Sequence, residues 1–282
     1  MEHRSVAATF DIASRLHAAA GEWPTDPVRT TAPWLAGEVE LRPLFAPASK
    51  GSVHDRGELS RAVGEFGFAT ARAELRFHTV LVDGLRAVLA GVVVGERLGD
   101  VGTSRAPLMI WADLDAERRA RRIELDFDWD ARRPDRSHDD AEPPPLAGAS
   151  LEPPPPRSQG WYRNLVVRFA EAWPIDAAAG WASLLSDAAR VSIEASGEII
   201  DRAELAGVSP DRPTALEVVE VLGDGDRLAA RLRMRDGVAP HRRRIDELGT
   251  PRGELALVAR LDRNERVAEL CAYGDVHELL GR

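Results

Sequence analysis

Three groups of side chains have the types and spacing to do chemistry. His78 closes the run Glu74-Leu75-Arg76-Phe77-His78, and strand alternation puts it on one face with Glu74 and Arg76. Imidazole is the readiest proton shuttle near neutral pH. One reading is therefore a pocket base held by Glu74 or Glu40; the other is a half-exposed strand histidine. The second group is Glu124, Asp126, Asp128 and Asp130, alternating with Ile123, Leu125, Phe127 and Trp129. Close like charges raise one another's pKa, and a metal site is one thing such a row could build. Neighbours along one strand are about 7 Å apart, too spread to chelate a single ion, so a solvated face answered by arginines such as Arg86 or Arg97 is the expectation. The third group is basic: Arg118-Arg119-Ala120-Arg121-Arg122 and Arg242-Arg243-Arg244. They lack interleaved aromatics and sit in a chain of net charge -9, so they read as solvated turns and nucleic acid is not an expected partner.

Several chemistries find no support. His3, His17, His54, His138, His241 and His277 show no metal-ligand spacing, and Cys271 is the only cysteine. No phosphate loop follows a strand, and no Gly-x-Ser-x-Gly or Cys/His arrangement points to a covalent hydrolase. Neither a metal nor a cofactor is implied. Residues 1–20 carry charge throughout, unlike a signal peptide, and the uncharged stretch from Ala87 to Gly95 is about half of a membrane span. The expectation is a soluble, cytoplasmic protein with no membrane partner.

These residues sit in a chain that repeats itself. Trp23-Pro24-Thr25-Asp26 returns as Trp173-Pro174-Ile175-Asp176, and Asp55-Arg56-Gly57-Glu58-Leu59 as Asp201-Arg202-Ala203-Glu204-Leu205. Val80-Leu81-Val82-Asp83-Gly84 returns as Val221-Leu222-Gly223-Asp224-Gly225, and Ala112-Asp113-Leu114-Asp115 as Ala259-Arg260-Leu261-Asp262. Order is kept, with offsets of 150, 146, 141 and 147 residues. A period this long means two whole domains, not a solenoid. The expected boundaries are 1–131 and 161–282, joined by 132–160, where Glu142-Pro143-Pro144-Pro145 and Glu152-Pro153-Pro154-Pro155-Pro156 favour an extended tether.

Each copy reads in the same order. A helical stripe (Ile12, Leu16, Ala20; Leu165, Val166, Phe169, Trp173) precedes a second short helix with Trp34 or Trp181. A short strand, Glu38 to Arg42 or Arg190 to Glu194, comes next, and in the first copy a helix over Glu58 to Phe66. Period-two strands then run to the domain end: 71–82, 85–96, 107–114 and 122–129, then 215–222, 227–235, 254–261 and 266–273. Helices followed by antiparallel strands predict α+β domains, helices packed on one face of a sheet.

This order resembles the SnoaL-like branch of the nuclear-transport-factor-two-like superfamily, with its polyketide cyclases, ketosteroid isomerases and limonene-type epoxide hydrolases. The likeness rests on two helices, a short strand, Asp-Arg-Gly-Glu-Leu or Asp-Arg-Ala-Glu-Leu opening a helix, and long strands with an Asp-Gly turn. It implies two cone-shaped domains, each with N-terminal helices on a curved antiparallel sheet around a hydrophobic small-molecule pocket. It also implies pairing through the sheet, within the chain or in a homodimer. In catalytic members an acid ends the first short strand and a second acid or donor comes from a later one, the pairing that serves as general base and acid. Carried over, this marks Glu194 with Glu217 or Tyr273 in the second copy. In the first copy Arg42-Pro43 stands where the acid belongs, leaving Glu40, with His78 as a further candidate. Trp34, Trp129 and Trp181 are the expected ligand-facing aromatics. The implied function is a cofactor-free tailoring enzyme for a lipophilic, polyketide-like molecule; the alternative is a non-catalytic binding or dimerisation protein of the same fold.

Overall fold

The computed structural model describes residues 27–44, 51–69, 74–95, 104–127, 133–134, 157–193, 198–206, 215–235 and 254–274. The expected first helix, Trp23, Trp129, Glu194, most of 132–160 and Arg242–Arg244 lie outside these residues. The chain divides into two compact units, Met1–Pro144 and Pro145–Arg282.

The first unit runs α1 (Pro27–Thr31), a 3-10 turn (Ala32–Trp34), β1 (Leu35–Pro43), β2 (Ser52–Asp55), α2 (Arg56–Ala69), β3 (Glu74–Asp83), β4 (Arg86–Gly95), β5 (Ser104–Leu114), β6 (Ala120–Phe127) and β7 (Arg133–Pro134). The second runs α3 (Gln159–Ala172), α4 (Ala177–Leu184), β8 (Leu185–Ile193), β9 (Glu198–Asp201), α5 (Arg202–Ala206), β10 (Ala215–Asp224), β11 (Arg227–Arg235), β12 (Glu254–Leu261) and β13 (Val267–Gly274). The sheets have the same strand order, β2-β1-β6-β5-β4-β3 and β9-β8-β13-β12-β11-β10, and neither closes on itself. The two copies are therefore one α+β fold made twice.

The sheets are mixed. The four long strands form an antiparallel meander, but β1 pairs parallel with β6, and β8 with β13. A parallel neighbour needs a long crossover, which the intervening short strand, helix and meander supply. Two four-residue edge strands, β2 and β9, were not foreseen from sequence.

The blocks that recur in sequence are those whose geometry is most demanding. Asp55 Oδ1 accepts from the Glu58 N–H at 2.9 Å while Glu58 Oε2 accepts from the Asp55 N–H at 3.4 Å; Asp201 and Glu204 repeat this capping box at 2.9 and 3.1 Å. Gly84 and Gly225 turn equivalent hairpins at φ +58° and +59°, a region glycine enters at no steric cost. Asp115 and Asp262 cap matching turns, in which Arg118 and Glu265 take the same left-handed conformation, φ +61° and +64°.

A bulge interrupts each outer long strand at the same place. Register shifts between Phe77 and Thr79 against β4, and between Val218 and Glu220 against β11, leaving His78 and Val219 as the extra residues. Bulges bend a strand and increase its twist, and these two change which alternate residues face the helices. No helix among the described residues is long and apolar enough to cross a membrane.

Candidate functional site

Cross-strand partners share a sheet face, so the register locates every candidate. In the second repeat Leu228, Ala230, Leu232, Leu255, Leu257, Ala259, Leu270 and Ala272 pack with Tyr162, Phe169, Trp173 and Trp181 from the helices. Glu217 pairs with Arg233, Arg233 with Glu254, and Ala256 with Tyr273, all on the other side. Glu217 and Tyr273 therefore stand on the face away from the helices and do not meet in a helix-side pocket. Glu217 lies 3.5 Å from Arg233, whose Nε donates to Glu254 at 2.7 Å. Tyr273 is buried among strand neighbours. Glu194, the favoured base, lies outside the described residues.

Glu40 follows the same rule. It pairs with Arg122, which pairs with Asp113, which pairs with Arg86, across β1, β6, β5 and β4 on the far face. Arg122 Nε donates to Glu40 Oε2 at 2.8 Å, Arg42 Nε to Glu40 Oε1 at 2.7 Å, and Arg122 Nη1 to Asp113 at 3.0 Å. Hydrogen bonds from Arg122 first and Arg42 second hold the Glu40 carboxyl below its ordinary value. A carboxylate so stabilised is a weak base. The corresponding row in the second repeat is Arg190, Glu269, Arg260, with Arg260 donating to Glu269 at 2.7 Å. Acid–Arg–acid has become Arg–acid–Arg. Reversal of these three signs keeps opposite charges facing each other across β8, β13 and β12, while the fourth position stays arginine, Arg86 in one repeat and Arg227 in the other.

His78 is the bulge residue, at the surface, its Nδ1 3.1 Å from Thr79 Oγ1; Glu74 takes an ion pair from Arg76 at 2.9 Å. Trp181 is 1 % exposed, 4.9 Å from the Phe169 ring and edge-on to Trp173 at 5.5 Å. It fills the second repeat's interior, the space in which it was expected to contact a ligand.

Tyr162 belongs to the same cluster. Its hydroxyl donates to the Gly225 carbonyl at 2.8 Å, and burial first of all pushes the phenol up to about 12, Arg157 opposing and Asp224 and Asp226 adding. In the unfolded chain a tyrosine ionises near pH 10. The neutral phenol's contribution is thus complete below about pH 10 and lost as pH rises toward about 12. Denaturant unfolding across that window should show a loss of about 2 kcal/mol that Tyr162→Phe removes.

Matching wall positions differ in exposure, and the segment of the first repeat that matches α3 lies outside the described residues. Trp34, Ile110 and Ile123 are only half-buried on the helix-side wall, beside Phe77, Val82, Leu89 and Ala112. Their counterparts Leu184, Leu257 and Leu270 are 2, 2 and 1 % exposed. Leu125 is half-buried where Ala272 is closed over.

At the edge of this wall lies a polar group that sequence inspection overlooked. Ser52 pairs with Leu41, and Leu41 with Ile123, so Ser52 and His54 share the wall's face. Ile200, the counterpart of His54, is core. His54 Nε2 is 2.7 Å from Ser52 Oγ and His54 Nδ1 is 3.6 Å from Glu58 Oε2. The available signal was Ser-x-His at strand spacing followed by Glu four residues on, within the capping-box block. No group of three or more potential metal ligands occurs among the described residues.

Each repeat thus has the fold that the sequence resemblance implied: helices over one face of an open, mostly antiparallel sheet. No protein-family model matches the sequence, and no curated protein does. Among solved structures the chain is similar to a protein of ketosteroid isomerase-like fold from Catenulispora acidiphila, crystallised with trimethylamine (11 % identity, 41 % of this chain, 85 % of that one, TM-score 0.35). It is also similar to a nuclear transport factor two-like protein of unknown function from Burkholderia pseudomallei (15 % identity, 41 % and 89 %, TM-score 0.34). TsrD from Streptomyces laurentii is a third (13 % identity, 42 % and 87 %, TM-score 0.33).

Proposed function

We propose that the protein binds a lipophilic small molecule on the helix-side wall of its first repeat, and that the second repeat is a filled, non-binding copy of the same fold. What supports this reading is the apolar wall itself: Trp34, Phe77, Ile110 and Ile123 lie on the helix-side face of the first sheet with Ser52 and His54 at its edge, whereas Trp181 occupies the interior of the second repeat. Apolar side chains with a few polar groups at the rim are part of what a small-molecule site needs. In this reading Glu40 and Glu217 serve cross-strand pairing and not acid–base catalysis, because arginines hold both.

The test is a titration of the full chain with anilinonaphthalene sulfonate and with long-chain ketones, read by dye emission and tryptophan quenching. Binding should weaken at least about tenfold in Ile123→Gln, since a polar amide replaces buried apolar contact. Unchanged affinity in both Ile123→Gln and Trp34→Ala would overturn the assignment. Acid–base turnover is tested on the same protein by deuterium exchange at the α-carbon of an enolisable ketone. Exchange that is lost in Glu194→Gln would restore the tailoring-enzyme reading in the second repeat.

A further inference from the structure

We propose that Ser52, His54 and Glu58 form an acyl-transfer relay that hydrolyses lipophilic esters; the substrate class rests on the binding reading above, the relay on its own geometry. Three observations meet here. The hydroxyl and imidazole are within hydrogen-bond distance, Nε2 to Oγ 2.7 Å. Glu58 lies on the other side of the ring, 3.6 Å from Nδ1; with the proton on Nδ1, Nε2 can accept from the serine. Such contacts are often long before substrate binds and tighten in the complex. The capping box fixes the carboxylate: Glu58 Oε2 also accepts from the Asp55 N–H at 3.4 Å, tying the helix start to the end of β2. A nucleophile, a base touching it and a third group orienting the base are the parts that nucleophilic catalysis requires. The register places Ser52 across Leu41 from Ile123 and His54 beside Val39, so an ester carbonyl at Ser52 could have its chain along the apolar wall.

The chemistry closes without any other co-reactant than water. Ser52 Oγ bonds to the ester carbonyl carbon as His54 Nε2 takes the hydroxyl proton. The carbon–oxygen bond to the alcohol breaks, and the alcohol leaves with that proton. Water then attacks the acyl-serine, giving its proton to His54, and Ser52 leaves the acyl carbon and recovers the proton. Ester and water become carboxylic acid and alcohol. Ser52 and His54 are the catalytic residues and Glu58 a positioning residue. The second repeat has Glu198, Ile200 and Glu204 at these places and cannot do it.

The experiment uses the full chain with p-nitrophenyl esters from acetate to octanoate, and a fluorophosphonate probe mapped by peptide mass spectrometry. The expected result is an adduct on Ser52, absent in Ser52→Ala and His54→Asn, with the protein-dependent rate reduced at least about 100-fold in both. Glu58→Gln should shift the acid limb of the rate–pH profile, which a purely structural cap would leave in place. All three sites are partly or fully exposed, and thermal unfolding of each variant checks that it is folded. No adduct on Ser52, with equal rates in wild type and Ser52→Ala, would overturn the relay even where dye still binds the wall. Adduct formation and cleavage with no preference for longer acyl chains would uphold the relay and refute the wall as its substrate site.

Discussion

Trp181→Ala is expected to destabilise the second repeat by about 3–5 kcal/mol, the range for deleting a large aromatic from a packed core. The indole is 1 % exposed and wedged between Phe169 and Trp173 on one side and the sheet on the other. Aromatic pairs at these separations add to the area they bury, and helices α3 and α4 meet there. Its Nε1 is buried without a hydrogen-bond partner among the described residues, so the polar atom contributes little. Trp181→Phe should cost less than Trp181→Ala, because the remaining ring leaves a smaller cavity. Denaturant unfolding followed by circular dichroism tests both. A small loss in Trp181→Ala would mean that the interior has room, which would reopen the second repeat as a ligand site.

Gly223→Ala should cost about 3 kcal/mol, at the upper end for overpacking. A Cβ there would lie 2.2 Å from Tyr162 Cγ, in a ring that its own hydroxyl ties to Gly225. Nor can the strand withdraw. The Gln159 side chain donates to the Gly223 carbonyl at 2.7 Å and accepts from its N–H at 3.0 Å, acting as a short surrogate strand on the edge of the sheet. Gly37→Ala is the control, since its Cβ would meet nothing within 4 Å. Equal Tm values for the two variants would refute this account of the packing.

Both predictions depend on contacts invisible in the linear chain, and so does the position of the candidate site. Four recurring blocks were enough to reveal the duplication, because caps and turns need particular residues at fixed places: aspartate and glutamate in a capping box, glycine at positive φ. The long strands were legible for a related reason, since alternation of apolar residues is local. The edge strand Ser52–Asp55 was not, having only four residues and one exposed valine among polar neighbours.

Sequence by itself determined that one α+β fold occurs twice, and where its long strands and most of the described helices and turns fall. Only the tertiary structure decided which face of each sheet the helices cover. That placed Glu40, Glu217 and Tyr273 on the far side and Ser52 and His54 beside the apolar wall. Alternation has two faces of equal standing, and a bulge such as that at His78 exchanges them partway along a strand, so parity alone cannot assign a side chain to a pocket. The parallel partner of each first strand is likewise set by a contact some eighty residues distant, Glu40 with Arg122. Local rules fix elements; only long-range packing decides what those elements bring together.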